Sequence, residues 1–341
     1  MEESDDERRT WDENQIRKYD IKMKSVPKHS FVDPIVMEIM LEGRPVIITD
    51  SKMVEPAAKW NLKYLARHMG NTNCNVIVSK DHNFKYYDDK CVQKAVRAKF
   101  VPPHKKVTMK IGEFVDKIKE MSPGGERLYL QQALTHSVGT EIVKDFLQFK
   151  WDYIKGIQKE MGWGSLTSNL LLIGMEGNVT PCHYDEQENL FAQVKGYKRI
   201  LLFPPEQFEC LYPHPVWHPH DRQSQVDFDD PDLTKFPKFA NAMAQEAIVG
   251  PGDVLFIPNY WFHHVESLQN GGYTVSVNFW YKSKSTGAVA YPLNATQKMA
   301  IMRNVEKMLV DALRDPDEVG PLLRNLTLGR YHDFSLPPES Q

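Results

Sequence analysis

The sequence holds no run of about 18 consecutive apolar residues, the length a membrane-crossing helix requires, so an ordinary helical span is excluded. Cysteine is scarce: Cys74, Cys91, Cys182 and Cys210 lie far apart among 341 residues, with no CxxC pair to suggest a zinc knuckle or a dithiol redox motif. A disulfide framework is not expected in so long a chain without a secretory signal. Charge of one sign is lacking too. The 42 Lys and Arg stand against 45 Asp and Glu, a formal net charge of −3, whereas proteins built on nucleic-acid phosphates or acidic membranes usually carry a basic excess. No repeat of roughly 20 to 50 residues suggests a solenoid. The opening MEESDDERRT is acidic and polar where a secretory leader would be basic and then apolar. These absences lead us to expect a soluble protein of the cytoplasm, with the nucleus as the alternative, and no nucleic-acid or membrane partner.

What is present suffices for a core: 41% of residues are hydrophobic and 11% aromatic. Residues 1–30 read as a tail or irregular arm. Residues 31–167 read as a mixed α/β flank, with strands expected at 44–50, 75–79 and 128–134 and helices at 58–69, 111–121 and 139–160. From residue 168 short apolar strands arrive at close intervals, punctuated by Gly and Pro, which indicates a double-stranded β-helix, or jelly roll, over 168–282. The fold class expected is therefore mainly β with flanking helices. One stretch, 205–245, is polar and Pro-rich; we expect an insertion that cannot fill a core and that serves recognition. In 283–341 a helical stripe of Ile301, Val305, Met308, Leu309, Ala312 and Leu313 packs either on its own domain or, with Val319, Leu322 and Leu323, on a second copy.

The chemistry concentrates in VTPCHYDEQENLFAQVKGYK, residues 179–198. His183 and Asp185 are one residue apart, so on an extended strand both project from one face and suit one metal edge. A third ligand comes best from the HH pair at 263 and 264. Alternation allows only one of the two to face inward and does not say which. Two histidines and a carboxylate match a facial iron(II) site that leaves positions open, with zinc as the competitor limited to hydrolytic chemistry. The cluster His214, His218 and His220 lacks a carboxylate on a rigid strand and is not expected to bind metal. Lys198, beside an apolar run, is costly to bury unless paired with an anion such as the distal carboxylate of a dicarboxylic acid. Tyr129 and Thr180 offer hydroxyls to share it.

The runs NLLLIGMEGNVTPCHYDEQENLFAQVKGYKRILLFPP, QFECLYPHPVWHPHDRQSQVDFD and VGPGDVLFIPNYWFHHVES, closing in VNFWYK, resemble the JmjC-type Fe(II)/2-oxoglutarate oxygenases. Within them they resemble the asparaginyl hydroxylases of the type of factor inhibiting hypoxia-inducible factor. The similarity extends from about Trp11 to Tyr331. It implies that His263 joins His183 and Asp185 as the metal ligands and catalytic centre. It assigns 2-oxoglutarate to Tyr129, Thr180 and Lys198 at one end and to Asn189 and Asn278 near the chelating end. Arg222 and Gln223 would hold a target asparagine amide, and Tyr86, Gln131, Leu166, Thr167, Gln187, Trp280 and Asn304 would line a peptide groove. The implied reaction consumes O2 and 2-oxoglutarate, with ascorbate as a supporting reductant, and releases succinate and CO2. The asparagine β-carbon is hydroxylated in hypoxia-inducible factor alpha (its C-terminal activation domain) and in ankyrin-repeat proteins. A match at Leu323 implies a homodimer through the C-terminal helices.

Three positions depart from that pattern. Cys182 stands where relatives carry a small Ala, Phe262 replaces a Trp, and His136 stands where an Asp is usual. The alternatives are another protein substrate on the same fold, such as a histone lysine demethylase or a hydroxylase of a different residue, and a cupin-like scaffold without chemistry.

Overall fold

The computed structural model describes residues 11, 16–94, 100–120, 124–268, 272–284, 291–328 and 330. Residues 1–10 and 12–15 of the expected N-terminal tail, Tyr331, and the side chain of His136 lie outside that description.

The N-terminal part contributes β1 (Lys22–Ser25), β2 (Lys28–Ser30), α1 (Ile35–Leu41), β3 (Val46–Thr49), α2 (Leu62–Met69), β4 (Asn73–Ser79), α3 (Asp89–Lys94), β5 (Lys105–Lys110), α4 (Ile111–Lys119), β6 (Arg127–Ala133), α5 (Thr140–Leu147) and α6 (Trp151–Met161). The middle adds β7 (Leu166–Met175), β8 (Val179–Tyr184), β9 (Glu188–Lys195), β10 (Lys198–Phe203), the short α7 (Phe208–Leu211), β11 (Met243–Val249), β12 (Val254–Ile257), β13 (Phe262–Ser267) and β14 (Tyr273–Tyr281). Two helices close the chain, α8 (Ala295–Leu313) and α9 (Pro316–Thr327).

Strands β7 to β14 form the jelly roll. One face runs β11-β10-β13-β8 and the other β12-β9-β14-β7, all antiparallel. Their sequences are β-branched and aromatic, and β10, β12 and β13 are buried along their whole lengths, as strands covered on both faces must be. The flank is continuous with the roll: β2 and β3 extend the larger sheet at one edge and β6, β4 and β5 at the other. The β9–β10 turn needs Gly196: its φ is +70°, and an added Cβ would lie 2.9 Å from the carbonyl of Tyr273. That tight turn sets where β10, and with it Lys198, begins.

The structure departs from expectation in several places. Part of the expected 1–30 arm forms β1 and β2, held by parallel pairing with β11 and β3, and α1 and α3 lie where no helix was expected. Strand β5, KKVTMK, was not foreseen; its exposed lysines mark a charged sheet edge, which masks the alternation a strand usually shows. The helical stretch 139–160 is two helices broken at Gln148–Lys150. The insertion 205–245 does bury apolar residues. Leu211, Val226, Phe228, Phe236 and Phe239 make a cluster with Tyr184, Phe203 and Phe262, so its few aromatics outweigh its polar composition. Finally, much of the C-terminal stripe is exposed: α8 buries Met299 and Arg303, while Ile301, Val305 and Met308 are exposed and Leu309 and Leu313 are half-buried.

Candidate functional site

The β8–β13 ladder builds the centre. His183 and His263 are direct register partners, and a shift in register follows between His263 and Val265. Alternation then turns His264 to the opposite face, where its Nε2 pairs with Tyr19 Oη at 2.9 Å and its ring stacks on Phe228. The choice between the two histidines, open from spacing alone, is thus made by the pleat. Both inward rings are anchored the same way: Nδ1 of His183 lies 2.9 Å from the carbonyl of Pro181, and Nδ1 of His263 lies 3.0 Å from that of Trp261. A carbonyl only accepts, so Nδ1 carries the proton and Nε2 presents its lone pair inward.

Asp185 lies one residue beyond the end of β8 rather than within an extended strand. Its carbonyl accepts from Tyr260 N at 2.7 Å. Its carboxylate receives Arg222 Nη1 on Oδ1 at 2.7 Å and Trp280 Nε1 on Oδ2 at 3.2 Å, with His263 Nε2 3.8 Å from Oδ2. Ligand atoms of His183, Asp185 and His263 all lie within 4.8 Å of one another, and among the described residues this is the one such group. His214, His218 and His220 stack closely but do not converge in that way.

Electrostatics suit a divalent cation. Burial, aided by the neighbouring His263, holds His183 down at about 3, and burial lowers His263 as well, so both imidazoles are neutral donors. Burial alone would raise Asp185, but His183, His263 and Arg222 hold it below the usual carboxylate range and it stays an anion. A metal therefore finds two lone pairs and one negative charge already in place.

Behind the triad lies a cavity of about 250 Å³. Lys198 is 2% exposed, and among the described residues no carboxylate pairs with it. Its Nζ lies 5.1 Å from the Phe191 ring and 5.7 Å from that of Tyr129, and burial pushes its pKa down to about 7. Tyr129 shares the cavity wall with the Thr180 hydroxyl, and burial raises its pKa to about 12, so it stays protonated and can donate. The side-chain oxygens of Asn189, Asn278 and Gln223 are buried without partners. Buried polar groups are rarely left so. The wall is thus a polar lining short of a ligand: a buried cation and hydroxyls at one end, amides near the triad.

Of the residues singled out from sequence, Tyr86, Tyr129, Gln131, Thr180, Asn189, Lys198, Arg222, Gln223, Asn278 and Trp280 line this cavity with the triad. Leu166, Thr167, Gln187 and Asn304 do not. Gln187 and Thr167 are linked at the rim, Gln187 Nε2 donating to Thr167 Oγ1 at 2.9 Å and that hydroxyl to the Trp280 carbonyl at 2.9 Å. Leu166 packs on the main apolar cluster and Asn304 is exposed on α8. Cys182 points away from the site into the insertion's cluster, as its place in the alternation requires. Phe262 fills the same cluster. Sequence reasoning missed the apolar walls, among them Phe84, Phe191, Leu172 and Ile257, because nothing separates them from ordinary core residues. It also missed Arg303, whose partners lie far away in the chain.

Comparison with known proteins agrees with this architecture. Residues 33–287 match the cupin-like domain. Over 267 residues, 77% of the chain, the sequence is 30% identical to lysine-specific demethylase JMJ30 of Arabidopsis thaliana, covering 56% of that protein. It is 45% identical over 108 residues to lysine-specific demethylase 8 of Danio rerio and 43% identical over 114 residues to human HSPB1-associated protein 1; each match covers 32% of the chain, and 26% and 22% of those proteins. The chain thus spans little more than half the length of the Arabidopsis relative and about a quarter of the other two. Because the domain match runs from the start of the flank through β14, the chain belongs to the cupin-like domain family.

Proposed function

We propose that the protein is an Fe(II)- and 2-oxoglutarate-dependent dioxygenase of the JmjC kind acting on a protein substrate. The observation that carries this reading is the pairing of a convergent His183–Asp185–His263 group with Lys198, a buried ammonium lacking a counterion among the described residues, in one cavity. A hydrolytic zinc centre has no use for that second anion site. His183, Asp185 and His263 would hold the metal, which with 2-oxoglutarate and O2 supplies the oxidising power that side chains lack. The chain's own work is to bind and orient. Lys198, Tyr129 and Thr180 take the distal carboxylate, while Asn189 and Asn278 offer amides near the metal end. Phe84, Phe191 and Leu172 supply the apolar part of the wall.

The finer reading is peptidyl-asparagine hydroxylation at the β-carbon, with hypoxia-inducible factor alpha and ankyrin-repeat proteins as substrates and a homodimer through α8 and α9. It is supported by the resemblance of the quoted motifs and by Tyr86, Gln131, Arg222, Gln223 and Trp280 at the cavity wall. A second reading, lysine demethylation, is favoured by the names of the relatives from Arabidopsis thaliana and Danio rerio. The test incubates asparagine-containing and methyl-lysine peptides with Fe(II), ascorbate and 2-oxoglutarate. Tandem mass spectrometry should find one added oxygen on asparagine, absent with Asp185→Ala. Methyl loss from lysine would replace the finer reading, and no product together with no succinate would sink the oxygenase.

A further inference from the structure

Asp185 is supported from behind by a residue that no sequence pattern singles out. Arg303, on α8 and 8% exposed, sends Nη1 and Nη2 to the two carboxylate oxygens of Asp221 at 2.7 and 2.6 Å, and its Nε to Glu186. Asp221 immediately precedes Arg222, and Glu186 immediately follows Asp185. One guanidinium therefore ties together two segments whose adjoining residues, Arg222 and Asp185, are themselves bonded at 2.7 Å. A second α8 contact pins the same insertion: Val216 N donates to Glu306 at 3.0 Å. Within this clamp Arg222 has a φ of 69°, a left-handed conformation that a non-glycine residue keeps only when its surroundings impose it. The segment is also stitched to β8, Tyr184 N donating to Arg222 O at 3.2 Å and Ser224 N to Cys182 O at 2.8 Å.

We propose that Arg303 is a positioning residue for the metal site: it neutralises Asp221 and Glu186, and so leaves Arg222 free to hold Oδ1 of Asp185 while Oδ2 faces His263. This rests on the reading above that the triad holds a metal. The argument is one of competition. Arg222 has two carboxylates within reach of its field, Asp185 and Asp221. With Arg303 present, Asp221 is saturated by a planar two-pronged donor. Without it Asp221 becomes an uncompensated, half-buried anion beside Arg222 and draws the guanidinium from Asp185. Lys307, 3.8 Å from Glu186, reaches the other carboxylate only.

The experiment uses cobalt(II) as the probe on the full chain. Arg303→Met should weaken Co(II) binding roughly 10- to 100-fold, the range of losses at residues that orient metal ligands, and should alter its visible absorption. In the metal-free protein it should speed amide exchange at Tyr184 and Ser224. Arg303→Lys, with a charge but no fork, should fall between. Adding Asp221→Asn to Arg303→Met should restore part of the affinity, since the competing charge is gone; a merely structural arginine predicts no rescue. Met299→Ala, a buried apolar cut on the same helix, should cost stability with Co(II) affinity unchanged. Wild-type affinity in Arg303→Met, an equal loss in Met299→Ala, or no rescue would overturn the proposal. Failure of the wild type to bind Co(II) would remove the metal reading as well, which keeps the two failures apart.

Discussion

His183 and His263 face each other across the β8–β13 ladder with ring centroids 4.1 Å apart, each held through Nδ1 by the carbonyl two residues before it. The repeated anchor fixes both tautomers before any ligand arrives. It predicts a division of labour within the HH pair. His183→Ala and His263→Ala should each reduce divalent-metal affinity by about 100-fold or more, since a ligand is lost outright. His264→Ala should leave affinity within roughly 3-fold and instead destabilise the fold by about 1 to 3 kcal/mol, because it strips Tyr19 Oη of a buried partner. Anaerobic Fe(II) titration and urea unfolding separate these effects. Loss of affinity in His264→Ala with His263→Ala unaffected would reverse the assignment.

Lys198 supplies the second prediction. Burial lowers its pKa from the ordinary 10.5 to about 7, so the unfolded chain binds the proton more tightly than the folded one. The penalty to stability is complete below about pH 7, shrinks as pH rises from about 7 to 10.5, and vanishes above that window. Its size is on the order of 4 to 5 kcal/mol by linkage. Lys198→Met should therefore be more stable than wild type at pH 6.5 in the metal-free protein, with the difference closing toward about pH 10. Addition of 2-oxoglutarate with Mn(II) should raise the wild-type melting temperature and leave the variant's almost unchanged, because the anion no longer finds a counterion. A variant less stable than wild type at pH 6.5 would show that Lys198 is already satisfied without ligand.

Much of the roll was legible in the sequence because its strands obey period-two or fully buried patterns, and Gly196 and Pro251–Gly252 mark turns. What was not legible has physical causes. Strand β5 is written in lysines because it forms an edge, and edges are selected for charge rather than for alternation. Asp185 reads as a strand residue but lies past the strand end, where Tyr260 and Arg222 position it instead of the ladder. The triad, Lys198 and Tyr129 are visible in sequence as unusual residue types in apolar runs. Phe84, Phe191 and Ile257 carry no such mark, since a cavity wall and a core differ only in what lies beyond them.

Tyr129 lies at the Lys198 end of the cavity, whose wall it shares with Thr180, and burial keeps the phenol protonated. Replacing Tyr129 by Phe removes one donor to the distal carboxylate without opening a void. The expected result is a KM for 2-oxoglutarate raised about 5- to 20-fold, equivalent to the roughly 1 to 2 kcal/mol of a hydrogen bond to a charged group. The value of kcat should change by less than about 2-fold, because the bond is made equally in ground and transition states. Steady-state succinate formation at varied 2-oxoglutarate measures both. A fall in kcat at unchanged KM would place Tyr129 in the oxidation rather than in cosubstrate binding.

The C-terminal helices leave an apolar surface uncovered. Ile301, Val305 and Met308 on α8 are 49%, 39% and 59% exposed, and Leu322 and Leu326 on α9 are 41% and 51% exposed, while Asn294 caps α8 with a complete capping box. A capped helix of 19 residues with its apolar side in water loses the stabilisation that tertiary burial normally provides. Pairing with a second copy, the homodimer proposed above, would restore it, and the half-buried Leu323 lies on α9 beside Leu322. Leu323→Arg and Met308→Asp should each shift the mass seen by light scattering from two chains toward one, and the more so on dilution. A monomeric wild type, or variants that remain dimeric, would count against this face as the interface.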